Sequence, residues 1–406
     1  MVIKAPARAG IVAAFALAAA LSAGTAHADK NYGPGVTDTE IKLGETAPFS
    51  GPVSFYSVLA KVAAAYFRMI DESGGINGRK ITLIQRDDGY SPPKSVEMVR
   101  RLVEQDGVLP IYDPIGTAPN SAIRPYLNAS KVPQLFVSGG ASKWADYRHY
   151  PWTIGWAPSY TTEAHIYARY ILEHFPNSKI GMLYQDDDFG REFLKGLTDG
   201  LGEHARRMFV AALSYQVTDP TVDSQIISLS QAGIDVFLDI TTPKFAAQAI
   251  RKAAEIGWHP VHFLDDGAAF IDSVFVPAGI DRSTGIMSAA YMKDPTDRRW
   301  AGDEGMRDWI AFMRRYFPDG DRSDIAAVYG YSMAQTMAQV IRQSGDDLSR
   351  DNLLRQATSL KDLSLPMLLP GIKIDTAPDR YDPIRREQLV RFDGKTWVPV
   401  GGFMGD

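Results

Sequence analysis

Ile41-Lys42-Leu43-Gly44-Glu45-Thr46-Ala47 is the stretch from which the fold is read, together with the chain between it and Arg86. The heptapeptide reads as a strand. Val58–Asp71 carries an apolar stripe of helical period and stops at Gly74-Gly75, and Lys80–Arg86 alternates cleanly as a second strand. Pro92-Pro93 then opens a helix to about Gln105, since a first turn loses nothing by proline's missing N–H. Val108–Tyr112 and Val132–Val137 read as further strands, separated by a helix through Ile123–Asn128. Alternation of this kind predicts a parallel sheet with helices on both faces.

The rhythm then restarts. Thr162–Phe175 reads as a helix, Lys179–Tyr184 as a strand, Gly190–Leu201 as a helix and Arg207–Gln216 as a strand. Val222–Ala232 and Lys244–Ile256 are helical patterns around the strand Ile234–Ile240, and Val261–Leu264 is a buried strand. Two doubly wound units in succession predict two lobes of similar architecture, joined near Trp152–Pro158. Two more helical patterns lie around Glu304–Tyr316 and Asp324–Gln343, before a Pro/Gly-rich strand region after Leu365. This tail is too short for a third α/β domain, so it is expected to complete the first two.

The 406 residues are 45% hydrophobic and 22% charged, an ordinary balance for a soluble globular chain. That length suits two or three domains. The formal charge is −5, or −7 once Lys4 and Arg8 are set aside, and no Lys/Arg-rich run appears, so a nucleic-acid partner is not expected. The absence of cysteine removes disulfides, thiolate metal sites, iron–sulfur clusters and cysteine nucleophiles together. Lys4 and Arg8 precede an apolar run from Ile11 to about Ala23, which ends in Ala26-His27-Ala28. That pattern predicts a signal peptide over residues 1–28, cleaved after Ala28. At 13 residues the run falls short of the roughly 20 needed to span a bilayer. With no cysteine to carry a lipid, the mature chain is expected free in the periplasm of a Gram-negative cell.

A search for catalysis finds no constellation. There is no G-x-x-x-x-G-K-[ST] phosphate loop and no H-E-x-x-H zinc helix. Gly330-Tyr331-Ser332-Met333-Ala334 comes nearest to a nucleophile elbow, but it lacks the second glycine and sits in a helical pattern. His149, His165, His174, His204, His259 and His262 share no helical face. Asp186-Asp187-Asp188 reads either as an acid–base or cation cluster or as a solvated cap of the helix entered at Phe189-Gly190. Asp265-Asp266 follows a buried strand, where ligands gather in α/β sheets. No enzymatic activity, metal or organic cofactor is expected.

Glu45-Thr46-Ala47-Pro48-Phe49-Ser50-Gly51-Pro52 and then Asp71-Glu72-Ser73-Gly74-Gly75-Ile76-Asn77-Gly78-Arg79 resemble the branched-chain amino-acid-binding proteins of bacterial ABC importers. Asp87-Asp88 with Pro93-Lys94, Lys131-Val132-Pro133, Tyr184-Gln185-Asp186 with Phe189-Gly190, and Ala253–Gly257 continue the resemblance in family order over nearly the whole mature chain. The resemblance implies a type I periplasmic binding protein: two doubly wound, Rossmann-like α/β lobes joined by three crossover segments. Lobe I would hold residues 29–155 and about 290–365, and lobe II residues 156–289 and about 366–406. A small ligand, an amino acid or related carboxylate, would be bound in the cleft by a monomer and delivered to permease subunits in the inner membrane.

The same resemblance places site residues. Tyr56 falls where the family has an aromatic ring after its first strand, although a surface aromatic in a Gly/Pro loop would look the same. Tyr112–Thr117 and Ser138–Ser142 follow strands, at the carboxyl ends that face the crevice. Ser138-Gly139-Gly140-Ala141-Ser142 suits an anion, because glycines let backbone N–H groups approach a carboxylate and Ser142 adds a hydroxyl; it also reads as a tight turn. From lobe II, Phe189 matches an aromatic lid, Thr241-Thr242 a cleft loop, and Asp266 the acid that holds the ligand's α-ammonium; Tyr291 lies near a crossing and is expected in the wall. Asp113-Pro114 departs from the pattern, since the family often has a serine hydroxyl for the carboxylate there and this Asp would repel one. An aromatic-acid or amide ligand, or a sensory role, is the alternative, with Trp144 a further ring for stacking.

Overall fold

A computed structural model describes residues 1–3 and 30–405, so the signal peptide expected over residues 1–28 lies, past Ile3, outside the described residues. Two main sheets organise the chain. The first is wholly parallel, in the order Lys80–Asp87, Glu40–Ala47, Ile111–Tyr112, Gln134–Val137, Thr153–Gly155. Its Glu40–Ala47 strand pairs in register with its neighbour from Glu40↔Lys80 to Ala47↔Asp87. The second sheet has seven strands. Five are parallel, Phe209–Tyr215, Ile180–Gln185, Val236–Ile240, Val261–Leu264 and Met287–Ala290, and Arg386–Phe392 and Trp397–Gly405 close its edge antiparallel. Helices cover both, as the strand–helix alternation requires.

Several helix starts carry the side-chain caps that exposed first N–H groups need. Asp324 accepts from Ala326 N at 2.8 Å, and Asp303 from Met306 N at 3.0 Å. Asp187 accepts from Phe189 N at 2.9 Å and from Gly190 N at 3.4 Å, so of the two readings of Asp186–Asp188 the cap is what the geometry shows. Ile325–Ser344 lies against Ser57–Glu72 so closely that a Cβ on Gly330 would stand 2.4 Å from the Leu59 carbonyl. Ser332 is wholly buried inside that helix, which removes the elbow reading.

The chain passes between the sheets after Gly155, again after Ala290, and last before Arg386. The third passage comes later than expected. Met367, Leu368, Ile372, Ile374 and Ile384 are buried in one core with Tyr66, Trp309 and Tyr331, beside the first sheet, so residues 366–384 pack with lobe I and not with lobe II. The strands of the Pro/Gly-rich region begin only at Arg386. Among the described residues, no helix is long and apolar enough to cross a membrane.

Candidate functional site

The carboxyl ends of the two sheets face each other across a cleft of about 1330 Å³, counting the space open to solvent. This is where open α/β sheets hold ligands, because the loops leaving the strands are free of sheet pairing there. Of the expected residues, Tyr56, Thr117, Ser138, Gly140, Phe189, Asp266 and Tyr291 line it. Ala141, Ser142 and Thr241 do not. Ala141 packs behind the loop with Val137 and Trp144. The exposed Ser142 gives its N–H to Glu192 of the other lobe at 2.7 Å, so that backbone donor is not free for a ligand. Thr241 is wholly buried, its N–H on Asp265 at 3.0 Å and its hydroxyl on Asp239 at 2.7 Å.

Tyr56 reaches across the cleft and donates to the Gly267 carbonyl at 2.9 Å, while Phe55 packs on Phe270 with ring centroids 5.2 Å apart. Gly116, at φ +96°, precedes Thr117; a Cβ there would meet the Tyr90 ring at 2.3 Å. Gly140 is held as tightly, since a Cβ would stand 2.5 Å from the Pro158 carbonyl in the first crossing. Gly116 thereby admits Tyr90 and Gly140 admits Tyr160, whose ring a Cβ would meet at 2.9 Å. The Tyr160 hydroxyl meets Thr117 Oγ1 at 3.0 Å, and the Tyr160 N–H donates to the Gly140 carbonyl at 2.7 Å. Tyr329 and Tyr90 line the same end, where Gln185 Nε2 donates to the Tyr90 hydroxyl at 3.3 Å. Burial drives all three phenol pKa values up, so they stay protonated.

Reading the sequence alone misses Tyr90, Tyr160 and Tyr329. Tyr90 lies three residues past the strand Lys80–Asp87, Tyr160 at a helix start and Tyr329 inside the helix Ile325–Ser344, with no local pattern to mark any of them.

The acidic end is denser than the sequence suggested. Asp266 lines the cleft, and Glu163 and Glu387 stand behind it, with one carboxylate oxygen of each of the three within 4.8 Å of the others. Glu163 accepts from Tyr167 OH at 2.5 Å and from Asp266 N at 2.8 Å. Glu387 is wholly buried and neither of its oxygens has a hydrogen-bond partner. Burial pushes the Asp266 carboxyl up to about 6 and holds those of Glu163 and Glu387 well above the usual carboxylate range. A second buried acid pair lies in lobe I. Asp113, wholly buried at φ +48°, does not line the cleft; it faces Glu45, and burial pushes Glu45 up to about 8, so the pair holds a proton at neutral pH. Arg299 is the one basic side chain lining the cleft among the described residues, and it is tied to Asp297 at 2.6 Å and to the Trp397 carbonyl at 3.1 Å.

Two α/β lobes with a cleft between facing strand ends, crossed three times, define a bilobal architecture with room for a small ligand between its halves. A family model described as periplasmic binding protein matches residues 40–394, and the chain belongs to that family. It is 24% identical over 324 residues to a Leu/Ile/Val-binding protein homolog 1 of Brucella abortus, covering 76% of this chain and 80% of that one. A substrate-binding periplasmic protein from Ralstonia solanacearum superposes with a TM-score of 0.80 at 23% identity, over 89% of this chain and 100% of that one. A branched-chain amino acid ABC transporter protein from Thermus thermophilus, solved with bound valine, gives 0.80 at 15% identity, over 91% and 98%. These two likenesses establish the type I periplasmic binding protein fold that the family resemblance implied.

Proposed function

We propose that this chain is the exported solute-binding subunit of an ABC importer, which closes on a small amine-bearing solute of the amino-acid type and presents it to the membrane permease. The observation that carries the reading is Asp266, an acid facing the cleft among other carboxylates, with no lysine, arginine or histidine acting on it. A protonated nitrogen from the solute supplies the missing partner. Apolar burial against Tyr56, Phe189 and Phe270 holds its body. The Leu/Ile/Val-binding relatives and the valine-bound neighbour support that solute class.

Thermal unfolding of the refolded protein against a panel of aliphatic amino acids, amines and aromatic acids tests it. A ligand at 100 times its dissociation constant stabilises by about 2.7 kcal/mol. A raised midpoint with amine-bearing solutes is expected. A response to amine-free aromatic acids alone would instead assign the tyrosine walls to ring stacking.

A further inference from the structure

The cleft runs well past Asp266. Glu387, on the strand Arg386–Phe392, brings a carboxylate oxygen within 4.8 Å of one on Asp266, so that strand starts beside the acid that faces the solute. From there Gln388 and Val390 line the cleft, since alternate residues of a strand share a face. Across the hairpin Val390 pairs with Pro399 and Phe392 with Trp397, and Pro399 and Trp397 line the cleft as well. Trp397 therefore stands opposite a residue five places beyond Glu387, about 17 Å along the strand at ~3.4 Å per residue.

This extension is walled by apolar side chains. Phe270 packs on Phe55 with ring centroids 5.2 Å apart and shares a core with Val390 and Trp397, so it joins the part of the cleft beside Tyr56 to the extension. Trp300 belongs to the same end, because Arg299 lies 5.8 Å from its ring centroid and donates to the Trp397 carbonyl at 3.1 Å. The polar groups there hold one another. Arg299 Nε is on Asp297 at 2.6 Å, and Asp294 Oδ1 takes the Thr296 N–H and hydroxyl, each at 2.8 Å. What this end offers a solute is surface to cover. Four bonds separate leucine's nitrogen from its terminal methyl, a reach of no more than about 6 Å at roughly 1.5 Å per bond. A branched-chain amino acid held at Asp266 would leave Trp397 uncovered.

We propose that the cleft takes elongated solutes, with the amine head on Asp266 and an unbranched apolar tail laid along the antiparallel edge of the second sheet, past Val390 to Trp397. This rests on the solute-binding reading above and adds the length and shape of the solute. The tail passes Phe270, and each methylene that leaves water for the wall strengthens binding in proportion to the area it removes.

Calorimetric titration of the refolded full chain, below micelle-forming concentrations, tests it with three straight-chain series of four to ten carbons: 2-amino acids, primary alkylamines and alkanoates. In an amine-bearing series affinity is expected to rise about fourfold per added methylene, or about 0.8 kcal/mol, through ten carbons, so that the longest members outbind leucine. Val390→Trp places bulk midway along the row and is expected to bring the ten-carbon member within tenfold of the four-carbon one; the wild-type slope stands as the test even if this variant folds poorly. If affinity levels off or falls beyond six carbons, the inference is wrong and the amine reading survives. If Val390→Trp keeps the full slope, the tail lies elsewhere and the inference is wrong. If only the alkanoates bind, and with that slope, the elongated cleft stands and the amine reading falls. If no member of any series binds, both fall.

Discussion

Replacing Asp266 by asparagine is expected to raise stability and lower affinity at once. In the ligand-free protein its carboxyl is pushed from 3.8 to about 6 by burial beside Glu163 and Glu387. A carboxyl whose folded pKa is raised binds its proton more tightly when folded, so the penalty is absent below pH 4, grows as pH rises to about 6 and is then constant. At 1.36 kcal/mol per pH unit this amounts to roughly 3 kcal/mol at pH 7. The Asp266→Asn variant should therefore melt a few degrees higher than the wild type at pH 7 and no higher at pH 4, by calorimetry on both proteins. Binding moves the other way: removing one partner of a buried charge pair costs about 2–5 kcal/mol, a loss of affinity of roughly 30-fold or more. Titration of both proteins with the best-binding amine-bearing solute of the panel reads it. A variant that melts lower at pH 7, or that binds as tightly as the wild type, refutes the placing of a solute nitrogen on Asp266.

The buried Glu45–Asp113 pair should make the wild type lose stability from about pH 5 to 8 and level off above, because Glu45 is pushed up to about 8 and the unfolded chain ionises first. Glu45→Gln removes the titrating carboxyl and should flatten that slope, in denaturant midpoints measured across the same range. Gly116→Ala places a methyl 2.3 Å from the Tyr90 ring at φ +96°, and should cost about 1–3 kcal/mol in urea unfolding. Ser121 and Lys143 of lobe I both hold Asp188, and Ser142 N–H holds Glu192, so these bonds tie the lobes together. The double variant Asp188→Ala, Glu192→Ala should show a larger ligand-free radius of gyration by X-ray scattering, and bind its solute roughly tenfold more weakly, about 1.4 kcal/mol.

Local pattern made the lobes legible. Strands such as Ile180–Gln185 and helices such as Ser57–Glu72 carry period and punctuation in a few consecutive residues. The segment 366–384 carried neither; its buried Met367, Leu368, Ile372 and Ile374 sit in irregular chain, so their destination depends on packing that no local pattern encodes. The same distinction divides the cleft. Residues just past strand ends, such as Thr117, Ser138 and Asp266, follow from the position of the strands alone. Ser142 failed because it lies beyond the turn that faces the crevice, where Glu192 takes its N–H. Glu163 and Glu387 looked like ordinary acids on a helix and a strand; only the closing of the second sheet by Arg386–Phe392 brings them behind Asp266. Tyr329 likewise joins Ser138 in the cleft wall only because the helix Ile325–Ser344 returns to lobe I.

A crystal structure of the protein with the tightest-binding solute of the panel tests the cleft most directly. The expected result is a solute between the lobes, its nitrogen within about 3.2 Å of the Asp266 carboxylate and its body against Tyr56 and Phe189. A solute bound outside the cleft, or one whose nitrogen points away from Asp266, would contradict it.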